Sequence, residues 1–194
     1  MNKQYTRLLS FLILLICLSS FGPGKSGPGK KDIKKHKIKS ATETVTEVTE
    51  GKEKSYKKSY NKFDDAGNLI EDVEYHPDGT FKKKETFTYN GKNVIEHVMY
   101  TPQGAVKKKV LKKYNSKNEK TEETDYDANN KLIEKALCEY NTMGDRTIEN
   151  TYDGNGVFIK KTLYSYDKKG MLTEEKTVSA KGELIASKKY VYEY

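Results

Sequence analysis

From residue 63 onward, hydrophobic and polar positions recur in a fixed rhythm along the chain. An aromatic or apolar anchor residue closes each segment, at Phe63, Tyr75, Tyr89, Tyr100, Tyr114, Tyr126, Tyr140, Tyr152, Tyr166, Val178 and Tyr192. Most anchor spacings alternate between 12 and 14 residues, which gives a repeat of 26 residues with one short unit near Gly91. Self-similarity at a fixed period is the signature of a repeat architecture. The pattern predicts a series of β-hairpins with two hairpins in each 26-residue repeat.

The strand-like segments between the turns are polar at their centres. Longer segments such as 81–89 and 106–114 are rich in lysine, and shorter ones such as 69–75 and 120–126 are rich in glutamate and aspartate. Neighbouring antiparallel strands would place lysine opposite glutamate, at roughly 0.2–1 kcal/mol of stabilisation per pair. Apolar pairs such as Leu69-Ile70 point to both sides of a strand, so neither face resembles a conventional core.

These patterns predict an all-β fold, a repetitive antiparallel β-meander of about 10–12 strands in one long sheet. Residues 42–62 resemble a degenerate first unit, with Gly51 near its turn. A sheet of this width is expected to be twisted or curled. Two arrangements fit the pattern: a sheet one layer thick with tyrosines along its rims, and a curled sheet with tyrosines lining a concave interior.

The turns carry their own signal. A glycine or asparagine follows most anchors by four residues, at Gly67, Gly79, Gly104, Asn118, Asn130, Gly144, Gly156, Gly170 and Gly182. Glycine and asparagine tolerate a positive φ better than other residues. We therefore expect type I turns, each closed by a residue in the left-handed region.

The anchor tyrosines are the candidate ligand-binding or packing residues. They are Tyr75, Tyr89, Tyr100, Tyr114, Tyr126, Tyr140, Tyr152, Tyr166 and Tyr192. Exposed tyrosine rings can stack on sugar rings or on partner side chains, but a regular row at strand ends more often packs within the sheet. We expect a packing ladder along the rims.

The N-terminal region predicts export. Residues 1–24 have basic Lys3 and Arg7 followed by an apolar run and small residues, the pattern of a secretory signal peptide. Cys17 leaves a lipid anchor as an alternative, although Ile16 stands where a small residue is preferred. Residues 25–40 are rich in lysine, glycine and proline, which predicts a basic disordered linker before a repeat domain at 41–194. No transmembrane span is expected once the signal is removed.

The positions of the charged residues change what the net charge indicates about a nucleic-acid partner. The net charge of +8 suggests a nucleic-acid ligand, but residues 63–194 carry 22 basic and 23 acidic side chains. The excess therefore lies in the signal and the segment after it, and the repeat domain lacks the basic patch that nucleic acids require. No nucleic-acid partner is expected.

The sequence shows no pattern of residues typical of catalysis. His36, His76 and His97 share no metal-ligand spacing, and Cys138 is the only cysteine left after removal of the signal. The segment 153–156 resembles the start of a calcium loop, but the glutamate expected downstream is missing. We expect no enzymatic activity, no cofactor and no metal.

The run Tyr-Asp-x-x-Gly resembles the YD repeat of bacterial RHS-type proteins. It stands as Tyr152-Asp153-Gly154-Asn155-Gly156 and as Tyr166-Asp167-Lys168-Lys169-Gly170, with near matches at 63–69 and 126–132. The resemblance covers roughly residues 60–194 and implies long β-sheets that can wrap a toxic domain, or repeats that bind carbohydrate. A weaker resemblance links the chain to small bacterial MORN-like repeat proteins.

Together these features predict an exported, non-catalytic repeat protein. Its expected role is a binding or interaction scaffold at the bacterial envelope, in the periplasm or at the cell surface. The expected partner is an envelope protein or polysaccharide. The alternative is a carbohydrate-binding module that uses the rim tyrosines.

Overall fold

The computed structural model describes residues 29–193, which form one short helix and twelve strands. The helix α1 spans Lys30–Lys35. The strands are β1 (Ser40–Thr49), β2 (Lys52–Phe63), β3 (Leu69–Tyr75), β4 (Phe81–Asn90), β5 (Asn93–Tyr100), β6 (Val106–Tyr114), β7 (Lys120–Asp127), β8 (Leu132–Tyr140), β9 (Arg146–Asp153), β10 (Phe158–Tyr166), β11 (Leu172–Ser179) and β12 (Leu184–Lys189). The predicted signal peptide and residues 25–28 of the predicted linker lie outside the described residues.

All twelve strands form one sheet in which the spatial order follows the chain order from β1 to β12. Every neighbouring pair is antiparallel. The two end strands do not pair with each other, so the sheet is not closed into a barrel. The structure confirms the predicted all-β meander and its strand count. Strands joined by tight turns pair with each other, because a hairpin needs the least loop closure.

The register brings opposite charges together across neighbouring strands. Glu122 on β7 lies 2.8 Å from Lys113 on β6 and 3.1 Å from Lys135 on β8. Lys84 on β4 similarly lies 3.3 Å from Glu71 on β3. These contacts have the cross-strand arrangement that the alternation of lysine-rich and acidic segments predicts.

Buried positions occur on both faces of the sheet. Residues that pair across strands share a face, and side chains alternate between faces along each strand. The register therefore places Val73, Val98 and Thr124 on one face, here called the Val98 face. It places the buried residues Val110, Cys138 and Thr151 on the opposite face, the Val110 face.

Each of these buried residues lies within a strand that has a neighbouring strand on both sides. Strands contact their sequence neighbours, and no second sheet packs on either face within residues 29–193. The core is thus distributed along the sheet instead of being enclosed between two layers.

The turns place glycine and asparagine where the sequence indicates them. φ is positive at Gly67, Gly79, Gly104, Asn118, Asn130, Gly144, Gly156, Gly170 and Gly182. In the turn after β7, the Asn130 N–H donates to the Asp127 carbonyl at 3.1 Å. The Asp127 carboxylate accepts the N–H groups of Asn129 and Lys131 at 2.8 and 2.9 Å. The same pair of backbone N–H bonds to a side-chain oxygen forms at Asn115, Asn141, Asp153 and Asp167. These bonds explain why an Asp or Asn follows the tyrosine.

Part of the segment predicted as a linker is described in the structure, and Lys30–Lys35 form helix α1 there. Helix α1 lies against the turn between β2 and β3, and Ile33 is only 5% exposed. A Cβ on Gly67 would lie 2.9 Å from the Lys30 carbonyl oxygen, so the glycine permits this close packing. Burial of one apolar side chain outweighs the low helix-forming tendency of a six-residue basic segment.

Candidate functional site

The tyrosines that close β6, β8 and β10 use their hydroxyl groups inside the sheet. Each hydroxyl donates to the carbonyl of the residue twenty positions earlier, near the start of the preceding strand, and Tyr192 does the same after β12. The bonds run from Tyr114 to Val94 at 3.0 Å, from Tyr140 to Lys120 at 2.9 Å, from Tyr166 to Arg146 at 2.9 Å and from Tyr192 to Leu172 at 2.7 Å.

Burial of the ring raises the pKa of Tyr140, and also those of Tyr114 and Tyr166. The phenol is protonated at neutral pH and can therefore donate to the carbonyl. These tyrosines act as latches between strand ends.

The tyrosines that close β5, β7 and β9 form a second, different series on the Val98 face. The register places Tyr100 opposite Lys84, Tyr126 opposite Lys109 and Tyr152 opposite Lys135. We call these six residues the Lys–Tyr row. Lys84 and Lys109 place their Nζ atoms 5.5 and 5.2 Å from the ring centroids of Tyr100 and Tyr126, within range of a cation–π contact. The pairs recur at every second strand, roughly 10 Å apart.

Tyr75 and Tyr89 are not among these six residues. The Lys57 Nζ atom is 4.7 Å from the Tyr75 ring centroid, and Phe81 meets the same ring edge-on. Tyr89 lies in the short unit, where Asn90 pairs directly with Asn93 across a two-residue turn. Burial raises the pKa of Tyr89.

A shallow hollow of 550 Å³ lies beside this short unit. Asn90, Asn93, Asn118 and Tyr114 are among the residues that line it. The Asn93 amide donates to Asn118 at 2.9 Å, and the Tyr114 hydroxyl is engaged with Val94. Two polar groups that line the hollow, the Asn93 amide and the Tyr114 hydroxyl, therefore already have hydrogen-bond partners.

A charged cluster surrounds Cys138 on the Val110 face. The Cys138 Sγ atom lies 3.6 Å from a Glu149 oxygen, and that carboxylate accepts a hydrogen bond from Arg146 at 2.8 Å. The Arg146 guanidinium also covers the Tyr164 ring at 4.2 Å. Burial raises the pKa of the Cys138 thiol, and it raises the pKa of Tyr164 to about 12.

A thiol with a raised pKa is a poor nucleophile at neutral pH. The chemistry of this cluster is therefore ion pairing and packing. Analysis of the sequence missed the cluster, although Arg146 is the one arginine besides Arg7 and thus stood out.

The three histidines are not brought together. His97 stacks on Phe87 with 4.6 Å between ring centroids and lies 3.3 Å from Glu85, while His76 is exposed in a turn. Within residues 29–193, no three His, Cys, Asp or Glu side chains gather as metal ligands would. The Asp153 carboxylate accepts the N–H groups of Asn155 and Val157, which accounts for this segment as a turn. The part of the chain with described structure contains no helix suited in length and apolarity to crossing a membrane.

Comparison with known proteins gives no family assignment. No family model and no curated protein matches the chain. Similar solved structures include a protein of unknown function from Bacteroides fragilis NCTC 9343, at 14% identity and a TM-score of 0.42, covering 56% of this chain and 92% of that one. They include TcdB2-TccC3 without its hypervariable C-terminal region, at 12% identity and a TM-score of 0.41, with 76% of this chain matched to 10% of that one. A porin-like protein from Bacteroides uniformis ATCC 8492 matches at 11% identity and a TM-score of 0.32, over 77% of this chain and 82% of that one.

Proposed function

We propose that this chain is an exported, non-catalytic interaction scaffold of the bacterial envelope. The observation that carries the proposal is the Lys–Tyr row, a set of matched cations and aromatic rings repeated at every second strand along an open sheet face. Tyrosine is among the residue types that contribute most at protein interfaces. A rigid row with a fixed spacing is suited to an extended partner.

The latch tyrosines favour a scaffold over the carbohydrate-binding alternative. A sugar-binding tyrosine needs an accessible ring face and a hydroxyl able to bond to the ligand. Four of the nine candidate tyrosines use their hydroxyls on backbone carbonyls instead: Tyr114, Tyr140, Tyr166 and Tyr192. Two more, Tyr100 and Tyr126, have a lysine over the ring.

The N-terminal signal pattern supports the envelope as the place of action. An envelope extract from the source bacterium is therefore the appropriate pool of partners. The full chain, immobilised after purification, would be incubated with that extract, and the retained material analysed for protein and polysaccharide.

Two matched double variants make this capture specific. Lys84→Ala with Lys109→Ala removes two cations of the Lys–Tyr row. Lys83→Ala with Lys108→Ala removes the two neighbouring cations from the opposite face. We expect retention to fall at least fivefold with the first pair and to stay near the wild-type level with the second. Equal retention by both pairs, or no retained partner from folded protein, would contradict the proposal.

A further inference from the structure

The two ends of the sheet are open. Among residues 29–193, β1 pairs with β2 alone and β12 pairs with β11 alone, whereas every other strand has two neighbours. An unpaired strand presents a row of N–H and C=O groups that can bind another strand. The sheet therefore carries two edges at which a further strand could add.

Strand β12 is more exposed than a comparable interior strand. All six of its residues are exposed, with Leu184 at 62% and Ile185 at 57%. Leu132, which begins the interior strand β8 in the same way, is partly buried. Interior strands have a neighbour along each edge, and β12 lacks one of them. A strand beside β12 would cover the Leu184 and Ile185 side chains.

The charges of the two edges are opposite. Strand β12 carries Lys188 and Lys189 and no acidic residue, while β1 carries Glu43 and Glu47 and no basic residue. Pairing two β12 edges would gather four lysines, and pairing two β1 edges would gather four glutamates. Like charges directly opposite each other destabilise a strand pair. The edge that complements β12 is therefore β1.

The register places the decisive charges on one side of the sheet. Lys188 lies opposite Glu175, and Glu47 lies opposite Lys54. Followed across the strands, with the bulge between β1 and β2 taken into account, these pairings put both Lys188 and Glu47 on the Val110 face. In a sheet continued from one copy into the next, their side chains would project from the same face.

We propose that β12 of one copy pairs antiparallel with β1 of the next, so that the meander continues from molecule to molecule. The occupant of each edge is a second copy of this chain. Because the contact joins two different edges, it is heterologous, and repetition builds an open chain of sheets. This interaction is distinct from the partner that the Lys–Tyr row binds.

The backbone direction of β12 identifies a variant that blocks the edge. The Tyr190 N–H donates to the Thr173 carbonyl on β11 at 3.0 Å. Antiparallel strands alternate the direction of their backbone groups, so the N–H groups of Lys189 and Ser187 point away from β11. Ser187→Pro removes a donor on the open side alone. Ser187→Ala is its matched control, because it removes only the side-chain hydrogen bond to Glu174.

Sedimentation velocity of the full chain tests the proposal over a wide concentration range at low salt. We expect the wild type to form species larger than a monomer as concentration rises, and higher salt to weaken them. Ser187→Pro should abolish these species, whereas Ser187→Ala should retain them. Thermal unfolding of each variant reports whether it is folded.

Charge reversal then tests which edges meet. Glu47→Lys and Lys188→Glu should each weaken association by about tenfold, because attraction becomes repulsion. An equimolar mixture of the two variants should recover association, since each lysine edge then meets a glutamate edge of the other variant. Lys131→Glu, an exposed reversal in an interior turn, should have no effect.

Three results would overturn the proposal. The first is a wild type that stays monomeric at every concentration, which would follow if another segment of the same chain covers an edge. The second is association sensitive to Lys188→Glu but not to Glu47→Lys, the behaviour of a β12–β12 dimer. The third is failure of the mixture to recover association. The mixing result decides the matter even if Ser187→Pro does not fold.

Discussion

At the scale of single residues, the tyrosines divide into two groups according to the strand that they close. Tyr140 ends a lysine-containing long strand and bonds through its hydroxyl, whereas Tyr126 ends an acidic short strand and presents its ring to Lys109. The sequence predicts that both lie at strand ends. It does not distinguish their roles, because both stand before a similar turn motif and the difference depends on the partner strand.

This division predicts different consequences for the same chemical change. Tyr140→Phe removes the bond to the Lys120 carbonyl and should lower the free energy of unfolding by about 1 kcal/mol. Tyr126→Phe keeps the ring that faces Lys109 and should change it by less than about 0.5 kcal/mol. Urea unfolding of the two variants makes the comparison. Equal losses would contradict the assignment of latches.

The glycines also fall into two groups, and the need for a positive φ in a turn explains only one of them. Gly79 has a φ of +83° with open space where a Cβ would lie. Gly154 is absent from the set of positive-φ residues, but a Cβ there would overlap the carbonyl oxygen of Leu132, the first residue of β8. The position of Gly79 four residues after an anchor tyrosine predicts its positive φ from the sequence. The requirement at Gly154 arises only when two adjacent hairpins come together.

We expect Gly79→Ala to destabilise the protein by roughly 1–2 kcal/mol through backbone strain. Gly154→Ala should cost more, because the backbone of Leu132 must move to admit the methyl group. Denaturant midpoints of both variants, measured with the wild type, test the order. A harmless Gly154→Ala would show that Gly154 and Leu132 are not in close contact.

At the scale of strands and hairpins, the fold follows from rules that the sequence displays openly. The Asp or Asn after an anchor, the Gly or Asn that ends the turn, and the alternating charge of the strands all favour the same neighbour pairing. Agreement between local signals is what makes a sequence fold to one structure. Helix α1 could not be predicted in this way, because one apolar residue, Ile33, and a docking site on a distant turn determine it.

The charged ladder predicts a dependence of stability on pH. Hydrogen bonds from Lys113 and Lys135 lower the pKa of Glu122 below its ordinary value of 4.5. A depressed pKa in the folded state contributes stability that is present above the unfolded value and is lost as pH falls through the folded one. We expect the free energy of unfolding to decline below about pH 4.5.

Glu122→Gln measures how much Glu122 contributes to this dependence of stability on pH. The variant should be less stable than the wild type at pH 7, and the gap should narrow towards pH 3, where the wild-type carboxylate is also neutral. Chemical unfolding across this pH range supplies the curves. A gap that is independent of pH would mean that the charge of Glu122 does not contribute.

At the scale of the whole molecule, the strands follow one another in a single row, and the faces and edges of the sheet carry different sets of side chains. The faces carry the Lys–Tyr row and the cluster around Cys138, and the edges carry the opposite charges of β1 and β12. The sequence left open whether the sheet is one layer or is curled around a tyrosine-lined interior. Buried residues occur on both faces, and the described residues 29–193 form one sheet with no second sheet beside it.

The central claim of this account is a single-layer sheet that is open on both faces in solution. Small-angle X-ray scattering measures the thickness of a flat particle separately from its width. We predict a thickness near 10 Å, the depth of one sheet, together with a width of roughly 50 Å for twelve strands. End-to-end association should increase the width with concentration and leave the thickness unchanged. A thickness of about 20 Å would instead show two packed layers and would contradict the account.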